Sequence, residues 1–303
     1  MSESLSLGEL IAADQPSVSW PSDWAATTKR LFTTTSAGLG QPTLLNSASI
    51  EEVLTCPGWW AGQREVDESE LSMAGFRLKA TRRVARRWLA ENLGSTGSVQ
   101  PLTFTGQVLH RFAATDDLLG HWIRMMPAGQ LAELRAEVAM GLVRLDADWP
   151  NRSALPSLVP GAVSARTRLG RMTLSSELVD ATVGAASVVD GGFEAGAMLV
   201  SFSMTPPTPA RLEGLGPAVL LHGLRTGCPP ARIVSWDLVG GTGIARTVDN
   251  EFVSMWCERV CEATRCIGEM QSWFEPRLNG GEHCQICPLF DRCPAADRSE
   301  YAW

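Results

Sequence analysis

A closely spaced group of cysteines near the C-terminus sets the strongest limit on the fold. Cys284, Cys287 and Cys293 follow a C-x2-C-x5-C pattern, and the last two are each followed by proline. Thiolates spaced this closely suit a soft metal ion or an iron–sulfur cluster, which needs about four of them. Cys56 is the candidate for the fourth, because a predicted helix over 47–56 ends there in Cys-Pro. A site built from all four would bring the tail back to a segment more than two hundred residues earlier.

The residues alone leave two other interpretations of these cysteines open. Free cysteines are often buried one by one in a protein core, although they are then not typically clustered beside prolines. Four thiolates also suit a tetrahedral zinc ion. In a zinc site His283, which adjoins Cys284, can take the place of one thiolate.

Composition restricts the cellular setting and the partners. The 303 residues include eight cysteines, no apolar run of membrane-spanning length and no N-terminal signal-peptide pattern, so we expect a cytoplasmic protein without membrane contact. The net charge of −7 argues against tight, non-specific binding to a phosphate backbone. It leaves room for a local basic surface, since 24 of the 26 basic residues are arginines.

Hydrophobic periodicity predicts an α/β protein with a helical N-terminal half and a Cys-rich C-terminal tail. Residues 1–46 form a leader with a short helix, 47–150 a helical part that carries Cys56, 151–273 an α/β core, and 274–303 the tail. The predicted strands cover 166–174, 178–184, 198–204 and 232–238. The predicted helices of the core cover 209–226, ending at Gly227, and 247–273.

The serine-rich helix that ends in Cys-Pro, together with the distant C-x2-C-x5-C-P, resembles the RecB/AddB-like branch of the PD-(D/E)XK nucleases. The resemblance covers about 47–297. It implies a restriction-endonuclease-like mixed sheet flanked by helices. It also implies a 4Fe–4S cluster on Cys56, Cys284, Cys287 and Cys293 that joins the N-terminal helix to the tail, with zinc as the less favoured metal.

The same resemblance locates a nuclease site whose chemistry is incomplete. His110 is similar to the histidine of the family's first helix motif, and Asp180 to the acid of its V-D-x-x-x-G strand. Where the family has an acid and a lysine two residues apart, this chain has Ser201 and Ser203. Serine hydroxyls hold Mg²⁺ weakly and cannot replace a titratable ammonium. We therefore expect no intact catalytic set and no firm Mg²⁺ binding.

A basic stripe is predicted on the helix over 68–93. Four arginines at helical spacing, Arg82, Arg83, Arg86 and Arg87, form a candidate nucleic-acid-binding surface. The alternative is an ordinary solvated helix face.

These observations predict a catalytically degenerate PD-(D/E)XK-like iron–sulfur protein. It would bind DNA weakly, or support a protein partner such as a helicase or nuclease subunit, in DNA repair, recombination or defence. One alternative is an active exonuclease with a relocated metal site, for which Glu177, Asp190 and Glu194 are candidate acids. Another is a protein–protein scaffold that does not bind nucleic acid.

Overall fold

The computed structural model describes residues 7–12, 18–63, 73–92, 99–148, 159–160, 165–176, 179–184, 187–189, 192–273 and 278–296. The first half contains α1 (Leu7–Ala12), β1 (Ser19–Pro21), α2 (Trp24–Thr35), β2 (Thr43–Leu45), α3 (Ser47–Thr55), α4 (Pro57–Gln63), α5 (Met73–Asn92), α6 (Pro101–Ala113), α7 (Leu118–Met125) and α8 (Ala128–Asp148).

The second half alternates strands and helices before it reaches the tail. Its elements are β3 (Val159–Pro160), β4 (Ala165–Leu169), β5 (Met172–Ser176), β6 (Ala181–Val183), β7 (Ser187–Val189), β8 (Gly192–Glu194), β9 (Met198–Ser203), α9 (Pro209–Glu213), α10 (Gly216–Thr226), β10 (Arg232–Asp237), β11 (Thr242–Thr247) and α11 (Asn250–Trp273). Short 3₁₀ turns over 282–286 and 290–292 follow in the tail.

A five-stranded mixed sheet, in the order β11-β10-β9-β6-β3, forms the centre of the fold. β9 and β10 run parallel, joined by the crossover through α9 and α10, whereas β6 and β11 pair with them antiparallel. Every residue of β9 and β10 is buried, as expected for parallel strands covered on both faces. Two smaller sheets, β2-β5-β4 and β1-β8-β7, lie beside the main one.

Glycines allow close approaches around α10. A Cβ atom on Gly216 would lie 2.1 Å from ring atoms of Trp256 in α11, so only glycine lets the two helices come this close. Gly227 ends α10 with a φ of 105°, a left-handed conformation that favours glycine. This confirms the predicted end of the helix.

Two hydrophobic clusters pack on the central sheet. One includes Phe32, Ile50, Val219 and Trp256, and joins α2, α3, α10 and α11. The other packs α5, α6 and α8 against the side chains of Phe202 and Trp236. Both clusters combine residues from the predicted helical and α/β parts. The predicted boundary between residues 150 and 151 lies outside the described residues.

The expected α/β class is confirmed at this level. Several predicted segments differ in detail from the observed ones: the strand over 166–174 is the hairpin β4–β5 with a turn at Gly170, and the helix over 209–226 is divided into α9 and α10. None of the described helices is both long and apolar enough to cross a bilayer.

Candidate functional site

The four predicted cysteines line one pocket. Cys56 at the end of α3 and the tail residues Cys284, Cys287 and Cys293 all contribute to its wall, together with Trp59 and other residues of α4 and the tail. Cys56 and Cys284 are almost fully buried, whereas the other two thiols are half-buried. The fold thus brings together residues that are more than two hundred positions apart in the chain.

Local structure explains why Cys56 faces the tail. Asn46 caps α3 in a reciprocal arrangement with Ser49, which fixes the start of the helix. At its other end Cys56 is extended, and Pro57 begins α4. α4 then packs closely on the tail, since a Cβ atom on Gly62 would lie 2.6 Å from the side chain of Leu289.

Backbone N–H groups donate to two of the four sulfurs. The N–H of Asn279 donates to Cys56 Sγ at 3.4 Å, and the side-chain amide of Asn279 donates to the carbonyl of Thr55 at 3.0 Å. The N–H of Leu289 donates to the sulfur of Cys287. Such N–H···S bonds stabilise thiolates and tune the clusters they hold.

Trp59 adds an unsatisfied donor to the same pocket. Its ring stacks on His283 with 5.4 Å between ring centroids, and it lines the pocket. Its Nε1–H is buried and has no acceptor in the described part of the chain. A buried N–H without a partner is costly.

The charge state of these thiols depends on whether a cation is bound. Burial raises the pKa of Cys287, and the neighbouring sulfurs of Cys56, Cys293 and Cys284 raise it further, partly offset by the N–H of Leu289. Four thiolates without a cation would repel one another in a site shielded from water. Bound metal removes that penalty, because thiolate ligands are deprotonated by the ion that they bind.

The side chains that line the pocket do not lie as close together as the ligands of a single metal ion. Among the residues that the structure describes, no three His, Cys, Asp or Glu side chains lie close enough together to hold a metal ion. His283, the alternative zinc ligand, has its Nε2 4.0 Å from Cys284 Sγ. The structure therefore places the four cysteines around one space, and their binding of a metal stays a prediction.

The remaining cysteines lie elsewhere. Cys228 and Cys261 are buried, and Cys261 Sγ accepts a bond from Thr35 Oγ1 at 3.6 Å. Burial raises the pKa of Cys257 to about 12, so this residue remains a thiol at neutral pH. Cys266 is half-buried near Glu262.

A second polar centre surrounds Asp180, which is fully buried. Arg82 Nε donates to both carboxylate oxygens at 2.9 and 2.8 Å, and Arg86 Nε lies 3.2 Å from Oδ1. The backbone N–H of Phe202 donates to Oδ2 at 2.7 Å. Burial raises the pKa of Asp180, against the opposing effect of the two arginines and this N–H.

Near the end of β9, the carboxylate of Asp180 accepts a hydrogen bond from a backbone N–H, as a carbonyl of a paired strand would. β6 pairs with β9 up to the partners Ala181 and Val200, and the side chain of Asp180 then accepts the next available N–H, from Phe202. The two predicted degenerate positions lie on either side of Phe202. Ser203 Oγ lies 2.8 Å from the carbonyl oxygen of Thr205 and 3.2 Å from that of Trp236, and its one proton is donated to one of them at a time. Ser201 Oγ is buried with no partner among the described residues.

This geometry corrects the predicted basic stripe. Arg82 and Arg86 point into the protein toward Asp180 instead of facing solvent, with 9% and 15% of their side-chain surface exposed. Arg83 and Arg87 are more exposed and form ion pairs, with Asp117 at 3.1 Å and Glu91 at 2.5 Å. The solvent-facing part of the stripe is therefore Arg83 and Arg87. Binding of nucleic acid by these residues stays a prediction.

The other predicted site residues lie away from Asp180 or outside the described residues. His110 is exposed in the last turn of α6, whose buried side carries Phe104 and Val108, so it does not reach the buried carboxylate. Of the alternative acids, Glu177 and Asp190 lie outside the described residues. Glu194 is in β8.

The sequence interpretation missed three contributors. Asn279 and Trp59 surround the cysteine pocket, and Arg211 reaches the end of β9 near Asp180. The only sequence signal for Trp59 was its place just after Cys-Pro, and Asn279 and Arg211 gave none.

The chain matches no protein-family model, and none of the curated proteins matches it.

Proposed function

We propose that this chain is a catalytically degenerate PD-(D/E)XK-like protein that holds an iron–sulfur cluster and serves as a DNA-binding or structural subunit. The observation that carries the proposal is the convergence of Cys56, Cys284, Cys287 and Cys293 on one pocket. These are the four residues that the resemblance to the RecB/AddB-like branch selects.

The chemistry of the pocket fits a 4Fe–4S cluster. Four thiolates would supply the ligands, and the N–H groups of Asn279 and Leu289 already donate to two of the sulfurs. When bound, such a cluster supplies a covalent link between α3 and the tail and a centre capable of electron transfer.

The arrangement of the central sheet is compatible with the nuclease resemblance. Asp180 precedes a strand antiparallel to β9, and β9 is followed by a helix and a parallel strand. The carboxylate of Asp180, however, is committed to two guanidinium groups and a backbone N–H. A carboxylate held by arginines is a poor ligand for Mg²⁺, because the cations compete for the same oxygens.

Metal analysis tests the cluster directly. We expect protein purified without oxygen to contain about four irons and four sulfides per chain, with broad visible absorbance. Iron and sulfide assays with an absorbance spectrum make the measurement. One zinc per chain with no iron would refute the iron–sulfur assignment, although it would leave the four ligands in place.

A cleavage assay tests the degenerate site. We expect no cutting of single- or double-stranded DNA with Mg²⁺ or Mn²⁺, because each missing catalytic group costs orders of magnitude in rate. The measurement is release of labelled nucleotide over hours. Metal-dependent cleavage that survives extensive purification and disappears in Asp180→Asn, at a temperature where both proteins are folded, would establish the exonuclease alternative instead.

A further inference from the structure

The helix α8 is apolar on two opposite sides, although only one of them is buried. Leu134, Val138 and Leu142 pack into the core with residues of α5 and α6. The opposite side, which we call the outer face of α8, is exposed and consists of Ala132, Ala136, Met140, Val143 and Ala147. A helix that is apolar all round is normally buried all round. The outer face therefore has the composition of a contact surface.

The spacing of the outer face suits a second helix. From Ala136 onward its residues recur at intervals of four, three and four, which is the spacing of a seam between two helices. The face extends over about 22 Å of α8. Its two larger side chains, Met140 and Val143, are 54% and 47% exposed and lie between alanines. The alanines let the backbone of another helix come close.

Two charged side chains beside the outer face lack a partner. Glu133 and Arg144 form no ion pair with any residue that the structure describes, whereas Glu137 on the same helix pairs with Arg77. Glu133 is exposed and Arg144 half-buried. They are eleven residues apart, which is about three turns, so both lie on the same side of the outer face.

We propose that the outer face of α8 is the interface of a homodimer, in which α8 packs antiparallel against α8 of a second copy. The two-fold axis of such a pair keeps each side of the face on the same side and reverses the direction of the helix. Glu133 of each copy then lies opposite Arg144 of the other, and Met140 lies beside Ala136. In a parallel pair Glu133 and Arg144 would lie on opposite sides of the interface, and neither would be compensated.

Charge favours a second copy at this face. The net charge of −7 makes two chains repel one another. The outer face avoids that repulsion locally, because its flanking charges are one carboxylate and one guanidinium, which match those of a reversed copy. No residue of α8 lines the cysteine pocket, so the dimer is independent of the proposed cluster.

The test is sedimentation velocity and light scattering of the full chain over a range of concentrations. We expect a reversible change from one copy to two. An interface with one helix from each copy is small, so we expect a dissociation constant of roughly 1–100 µM. A single copy at every concentration up to about 500 µM, well above that range, would overturn the homodimer and leave the outer face to a different protein.

Met140→Glu tests the apolar contact. It brings two carboxylates into the interface and should weaken the dimer by about tenfold or more. Met125→Glu is the matched control, because Met125 is 70% exposed on α7 and lies outside the outer face. The control should dimerise as the wild type does. A dimer of unchanged affinity in Met140→Glu would overturn the proposed interface.

Exchanging the flanking charges tests the antiparallel arrangement. Glu133→Arg or Arg144→Glu alone sets like charges opposite one another twice in the dimer, and each should weaken it by about fivefold. The double variant restores opposite charges and should recover the affinity of the wild type. No loss in the single variants, or no recovery in the double variant, would overturn the antiparallel pairing.

Discussion

Cys56→Ala is expected to abolish binding of the proposed cluster and to destabilise the whole protein. A cluster on Cys56 and the tail closes a loop of more than two hundred residues. By analogy with a disulfide, a cross-link over such a loop stabilises a fold by about 5 kcal/mol. That is a large share of the about 5–15 kcal/mol typical of a folded protein. Iron content, chemical denaturation and limited proteolysis measure the effect, and Cys287→Ala should give the same result.

Cys266→Ala is the control for these variants. Cys266 lies on α11, is half-buried and does not line the pocket, so its loss should leave iron content and protease resistance unchanged. Wild-type stability in Cys56→Ala, together with a full complement of iron, would show that Cys56 is not a ligand. Wild-type stability with the iron lost would show that the cluster does not stabilise the fold.

Local sequence patterns predicted the elements whose signals lie within a few residues. α3 begins at a capping residue and ends at Cys-Pro, and Gly227 ends α10, because capping and left-handed geometry depend on short-range chemistry. β9 and β10 appeared as apolar runs because both faces of each strand are covered. β11 was not predicted, since most of its residues, Thr242–Thr247, are half-buried and lack a clear alternation.

Long-range pairing explains why Arg82 and Arg86 of α5 were predicted to face solvent although they point into the protein. Helical spacing shows which residues share a face, but not whether that face meets water or protein. Arg82 and its partner Asp180 are 98 positions apart, and neither residue type indicates the other. The proximity of the four cysteines was easier to predict, because four thiols, three of them directly before a proline, are a rare combination with the spacing of a metal site.

The pairing of Asp180 with Arg82 and Arg86 gives this carboxylate a role that does not depend on the proposed nuclease ancestry. With serines at 201 and 203, where the resembled family has an acid and a lysine, Asp180 could have been an isolated buried carboxylate. Arg82 and Arg86 instead neutralise it, and Phe202 uses it as a backbone acceptor. Asp180 therefore has a structural role that is independent of any metal, and this role makes its replacement costly.

Asp180→Ala is expected to reduce the free energy of unfolding by about 3–5 kcal/mol, because it leaves two inward-pointing arginines without their carboxylate. It also leaves the buried N–H of Phe202 without an acceptor. Glu213→Ala is a suitable control, since Glu213 pairs with Arg246 at the surface, where such pairs contribute little. Urea denaturation followed by circular dichroism measures both variants.

A triple variant separates charge imbalance from lost packing. Asp180→Leu combined with Arg82→Met and Arg86→Met removes the whole buried charge group and leaves apolar side chains of similar size. Replacing a buried ion pair by apolar residues is often neutral or stabilising, so we expect the triple variant to recover most of the stability that Asp180→Ala loses. If Asp180→Ala unfolds at the same urea concentration as the wild type, the arginines do not depend on Asp180, and its carboxylate is available for a ligand such as a metal ion.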